Sequence, residues 1–229
     1  MTAYKFFRHG AVGLLSGFRW PVREWVEVTG PLVESVNGVH ACRLRDLPTW
    51  IDDELWTVEL AGETLELEAM LVARRGRLTA RVASWTPEVA LELAETCVWR
   101  VRDQAVRVLR RAGLLPEADK LAAAGRLEAV EAITVACAAC TAGRVALVAG
   151  YAADAVAILE GRPSFEWPHL NGPGVQTPGD TAACLAGHAA MTAGLEAAEE
   201  RGEGAYAESF ADERAWQSAW LVERLGLPA

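Results

Sequence analysis

Ser84-Trp85-Thr86-Pro87-Glu88 is where the chain changes grammar. Thr86 suits the cap of a helix, Pro87 suits its first position, where a missing N–H does no harm, and Glu88 sets a carboxylate on the positive end of the helix dipole. Upstream, the runs Tyr4–Phe7, Trp25–Val28, Gly38–Cys42, Leu55–Leu60 and Leu78–Val82 are rich in aromatic and branched residues. Gly10, Gly13, Gly17, Pro21, Gly30, Pro31, Gly62 and Gly76 punctuate them, the pattern of short strands separated by turns. The clearest alternation is Leu55-Trp56-Thr57-Val58-Glu59-Leu60. Asp46–Asp53, with Pro48 near its start, predicts one short helix.

Downstream, Val89, Leu93, Cys97, Val101, Ala105 and Val108 recur at helical spacing as far as Arg111, and Gly113 ends the segment. Pro116–Ala124, Leu127–Thr141, Arg144–Leu159, Thr181–Glu200 and Ala205–Leu225 read as further helices. Alanine fills them, and its small side chain permits close axes. The expected fold is α+β: a small, mainly antiparallel β domain over residues 1–85, then an all-α, alanine-rich helical bundle over 86–229. The stretch GRPSFEWPHLNGPGVQTPG, 161–179, holds four prolines and four glycines in nineteen residues and cannot continue a helix or strand. It predicts a long loop whose Phe165, Trp167 and His169 offer more adhesive surface than a linker needs.

A chain of 229 residues, 52% hydrophobic and with a net charge of -9, is long and apolar enough to fold around a core. Its acidity argues against nucleic acid, whose nonspecific binding is mostly phosphate neutralisation by basic side chains. No leader-like apolar run follows the start and no stretch has the length of a membrane span, so a cytoplasmic location with no membrane partner is expected. Five scattered cysteines fit reduced thiols. Cys137-Ala-Ala-Cys140 has metal-pair spacing, but zinc takes four ligands and no second pair completes the set; no metal is expected, and both thiols read as small core residues. Phosphate-binding glycine loops, a serine nucleophile elbow and a zinc-protease helix are all missing from the sequence.

Two polar sets lie on apolar helix faces. His188 shares its side of a helix with Cys184, Met191, Thr192 and Leu195, as a hydrogen-bonded core histidine would. Tyr206, Phe210, Glu213, Gln217 and Trp220 fall on one stripe, so a buried Glu213 needs a partner, with His188 or an arginine of the first long helix as candidates. His188, Glu213 and Gln217 are read either as a structural clasp or as a ligand site.

The segments Ala186-Gly-His-Ala-Ala-Met-Thr-Ala193, Ala205-Tyr-Ala207, Glu213-Arg-Ala-Trp-Gln217, Trp220-Leu221 and Leu225-Gly-Leu227 resemble the alanine-rich helical domain of bacterial immunity proteins. That resemblance implies a helical bundle with a protein-binding role and no catalytic residues. Tyr4-Lys5, Gly38-Val-His-Ala-Cys42, Leu55-Trp-Thr-Val-Glu59 and Val72-Ala-Arg-Arg-Gly-Arg77 are similar to small phage and bacterial domains of unknown function and, more loosely, to ADP-ribosyltransferase-like folds. The second likeness implies NAD as cofactor, oriented by Arg8 or His9 and by His40, with Glu59 or Glu63 assisting transfer. Two expectations follow. The first is a non-catalytic, immunity-like protein that binds a protein partner through 161–179 and the adjoining helices, with Phe165, Trp167 and His169 as anchors and no cofactor. The second is an NAD-dependent ADP-ribosyltransferase-like enzyme with His9, His40 and Glu59 as catalytic residues. Self-association through the alanine-rich helices, giving a homo-oligomer, is a third, structural possibility.

Overall fold

The computed structural model describes residues 1–162 and 177–228. It is α+β, an antiparallel sheet followed by helices. The chain forms two compact units, the first made of Met1–Ala90, Pro178–Ala183 and Arg214–Ala229, the second of Leu91–Thr177 and Cys184–Glu213. A single cut at residue 85 therefore misses the return of two later segments to the first unit.

The first unit is built on β1 (Thr2–Phe7), β2 (Trp25–Glu27), β3 (Val39–Ala41), β4 (Glu54–Glu66) and β5 (Leu71–Arg81). The long β4–β5 hairpin is its spine. One edge of β4 takes β1 in the register Thr2 opposite Glu59 and Phe7 opposite Glu54, while the far edge of β5 takes β3 and then β2. Backbone exchange between Tyr4 and Cys42, at 2.9 and 2.7 Å, joins β1 to the end of β3 and closes a small barrel. β4 runs well beyond the alternating run Leu55–Leu60, and β5 starts at Leu71, well before the expected Leu78–Val82. At Gly62, φ of +78° sits beside a register shift that adds a residue to β4, a bulge that glycine tolerates without a Cβ clash.

Both faces of β1 are buried. Ala3 and Phe7 enter a core with Val58, Leu60, Leu71, Ala73 and Leu78, whereas Phe6 on the other face meets Trp85 edge-on at 5.5 Å. The short helix is a 3-10 turn at Leu44–Thr49, starting earlier than expected because the Asp46 carboxylate accepts from the Arg43 N–H at 3.2 Å and from its Nε at 2.6 Å. C-terminal residues fasten to this turn: Arg214 donates to the Pro48 carbonyl and Ser218 to that of Leu44.

The helices are α1 (Pro87–Arg111), α2 (Leu115–Ala123), α3 (Leu127–Cys140), α4 (Gly143–Leu159), α5 (Pro178–Arg201) and α6 (Tyr206–Leu225). At the start of α1 the Val89 N–H donates to Thr86 Oγ1 at 3.4 Å, as the cap requires. In the second unit Leu93, Cys97, Val101, Ala105 and Val108 are all buried, along with an alanine-lined face of α5. Cys137 is buried but Cys140 is exposed, which corrects the expectation of two core thiols: a three-residue step turns Cys140 about 60° from Cys137. All five cysteines are free. Among the described residues no helix is long and apolar enough to cross a membrane.

Candidate ligand-binding cavity

Strand alternation sets Lys5 between Ala3 and Phe7 on the inward face of β1. Its ammonium donates to the His40 carbonyl at 2.8 Å and lies 5.3 Å from the Phe7 ring centre and 5.7 Å from that of Trp20. Among the described residues no carboxylate comes within ion-pair distance of it. Aromatic faces replace a counter-charge only in part. Burial pushes the Lys5 amine down to about 8.

This lysine lines a cavity of about 490 Å³ within the barrel unit, a size that takes a small organic ligand. Two turns make its mouth. The first is tightened by the Gly13 N–H on the Phe18 carbonyl and by the Phe18 N–H on Ser16 Oγ, and it leaves Leu15 80% exposed and Phe18 47% exposed. The second is closed by Val33 and Asn37 exchanging backbone hydrogen bonds, and it leaves Val36 79% exposed. Trp20 stands in the wall, edge-on to both Phe7 and Phe18. Such bulky side chains gathered around one opening depart from the scattered single exposures of an ordinary surface.

The other titratable groups on the lining are Tyr4, Glu27, His40 and Cys42. His40 Nε2 accepts the Ser35 N–H at 3.0 Å, and burial, with the Lys5 cation second, holds the ring below the usual imidazole range. Burial pushes the Cys42 thiol up to about 12, so it is no nucleophile near neutral pH. Burial also raises Tyr4. Glu27 is exposed, at the edge. The chemistry on offer is a largely apolar wall around one half-buried amine.

No family model, no curated protein and no solved structure matches the chain.

The proposed catalytic trio is not gathered. His9 is exposed, 3.8 Å from both Asp53 and Glu54, just past the end of β1, whereas Glu59 pairs with Thr2 at the other end of that strand, roughly 16 Å along it. Glu59 is tied to Arg77 at 2.5 Å and Glu63 to Arg74 at 2.5 Å. Near His9, Glu54 accepts from the Gly10 and Ala11 N–H groups and from the Trp56 indole, and these donors outweigh burial and hold its carboxyl low. Burial raises the neighbouring Asp52 to about 6. Arg8 is exposed and acts on Asp52 through its charge alone.

In the second unit Glu213 is buried and held by Arg100 of α1, at 2.7 Å from Nε and 2.5 Å from the terminal nitrogen, so the arginine candidate is the partner and His188 is not. His188 is 1% exposed, lies 3.5 Å from the Asp154 carboxylate and meets Tyr151 edge-on. Burial alone would lower its imidazole, but Asp154 and Cys184 outweigh it and hold it at about 9. Gln217 is buried in the first unit and accepts from Arg214 at 3.1 Å. Phe165, Trp167 and His169 lie outside the described residues, as does most of the 161–179 loop.

Lys5, Trp20, Phe18, Leu15 and Val36 escaped the sequence reading. The available signal was a lysine placed inside an otherwise apolar strand.

Proposed function

We propose that the chain is a non-catalytic binding protein, cytosolic in keeping with its free thiols, and that the barrel cavity receives a small ligand with an apolar body. One observation carries this reading: an open cavity with aromatic walls whose mouth is ringed by Leu15, Phe18 and Val36, all exposed at a cost in hydration. The protein partner expected at 161–179 has its anchors outside the described residues, so we set recognition on the cavity. Enzymatic ADP-ribosyl transfer gains no support from the separated positions of His9, His40 and Glu59.

A neutral solvatochromic dye, Nile red, tests the reading. Its emission should rise and shift to the blue on the native chain, and the double substitution Leu15→Glu with Val36→Glu should weaken that binding at least fivefold while leaving the melting temperature within about 2 °C, since both residues are exposed. Equal dye binding by the native and substituted chains would remove the cavity from consideration.

A further inference from the structure

Aromatic and aliphatic side chains make most of the cavity wall, and Lys5 is the cation on it. The Lys5 ammonium has three donors, one protein acceptor and two ring faces, and no carboxylate partner among the described residues. Leaving a buried cation without a counter-ion is unfavourable, and a methionine or leucine would fill the same strand position without that penalty. The alternation of β1 gives no structural reason for a cation here, because Ala3 and Phe7 on either side of it are core residues. Several arginines of the same unit do find carboxylates: Arg43 holds Asp46, Arg74 holds Glu63 and Arg77 holds Glu59. The Lys5 ammonium, facing the cavity, has no such partner among the described residues.

We propose that the cavity binds a small amphiphilic carboxylate, its hydrocarbon body against Trp20 and Phe18 and its carboxylate on the Lys5 ammonium. This deepens the binding reading above and rests on it. A carboxylate supplies the missing counter-charge and accepts the donors that the protein leaves unused, while the apolar body covers the aromatic wall. Glu27, the acidic group of the lining, is exposed, where water screens it. His40 is committed to the Ser35 N–H and Cys42 is protonated, so Lys5 is the group on the lining that can hold an anion.

Octanoate and its neutral counterpart octanol are the probes, titrated calorimetrically into the full chain and into Lys5→Met, with Nile red displacement as a second readout. The expected result is that octanoate binds the native chain at least tenfold more tightly than it binds Lys5→Met, while octanol affinity changes by less than about twofold. The native chain repeats the test without substitution: raising pH from 7 to 10 removes the ammonium and should weaken octanoate but not octanol. Tyr4, His40, Cys42 and Glu27 are the other groups facing the ligand. Burial holds the His40 ring below the usual imidazole range and raises Tyr4 and Cys42, so Lys5 is the cation of the lining whose charge is lost over this interval. Equal affinity of the native chain for octanoate and octanol would overturn the carboxylate assignment and leave the cavity reading standing. Failure of octanoate to displace bound Nile red would overturn it equally, whereas failure of the dye itself to bind would end both.

Discussion

Lys5 shows how one side chain can weaken a fold. Its amine falls from 10.5 to about 8 in the native protein, so the native state holds that proton less firmly than the unfolded chain does. The destabilisation is therefore complete below pH 8 and is relieved as pH rises towards 10.5; a shift of this size corresponds to about 3 kcal/mol. Lys5→Met should raise the stability at pH 7 by roughly 1–3 kcal/mol and flatten the pH dependence between 8 and 10, read by urea unfolding at each pH. A loss of stability on that substitution would mean that the ammonium contributes to the fold through its bond to the His40 carbonyl. Asp52 behaves in the opposite sense: burial raises it from 3.8 to about 6, so its contribution declines as pH climbs through that interval and the penalty is full above 6.

Helices of the second unit are held by partly buried ionic clasps and by close approach. Arg100 and Glu213 join α1 to α6, and Arg107 and Arg111 of α1 both reach Glu196 of α5, at 2.5 and 3.1 Å. Breaking a buried pair from one side leaves the other charge stranded, so Glu213→Ala should lower stability by about 2–3 kcal/mol, tempered because Arg100 is one-third exposed. The double change with Arg100→Met should recover at least half of that loss in chemical denaturation; full additivity of the two would show that the clasp is not a coupled unit. Gly194 of α5 lies against the Tyr206 ring of α6, where a Cβ would come within 2.7 Å of two ring carbons. Gly194→Ala should cost about 1–3 kcal/mol through this overlap, despite alanine's better helix propensity, and Tyr206→Ala in the same chain should restore it; a melting temperature raised by Gly194→Ala alone would show that the ring moves aside freely.

The barrel unit does not end where the strands end. Ser84 Oγ donates to the Leu225 carbonyl at 2.9 Å, Ser218 Oγ to that of Leu44 at 2.7 Å, and Leu221 is fully buried, so the C-terminal turns of α6 complete a unit begun at Met1. A chain ending at residue 213 should lose cooperative unfolding of the strand-rich unit, or melt at least about 5 °C lower, in near-ultraviolet dichroism of its tryptophans. An unaltered transition would separate that segment from the unit. Strands and helices are legible in the sequence because each has a period and punctuation: the Thr86-Pro87 cap, the spacing of Leu93, Val101 and Val108, and the glycines between helices are local signals. The Glu213 stripe likewise announces that a buried carboxylate needs a partner. Which partner it takes, how far β4 extends past Leu60 and why Lys5 faces inward are not legible there. Tyr4 and Phe6 are as apolar as Ala3 and Phe7, so β1 carries no alternation to say which face is the core, and only closure of β1 onto Cys42 settles it. Periodicity is a property of neighbours along the chain and fixes the elements, whereas a cavity belongs to residues far apart in sequence, Lys5, Trp20 and Val36, which meet through long-range pairing alone.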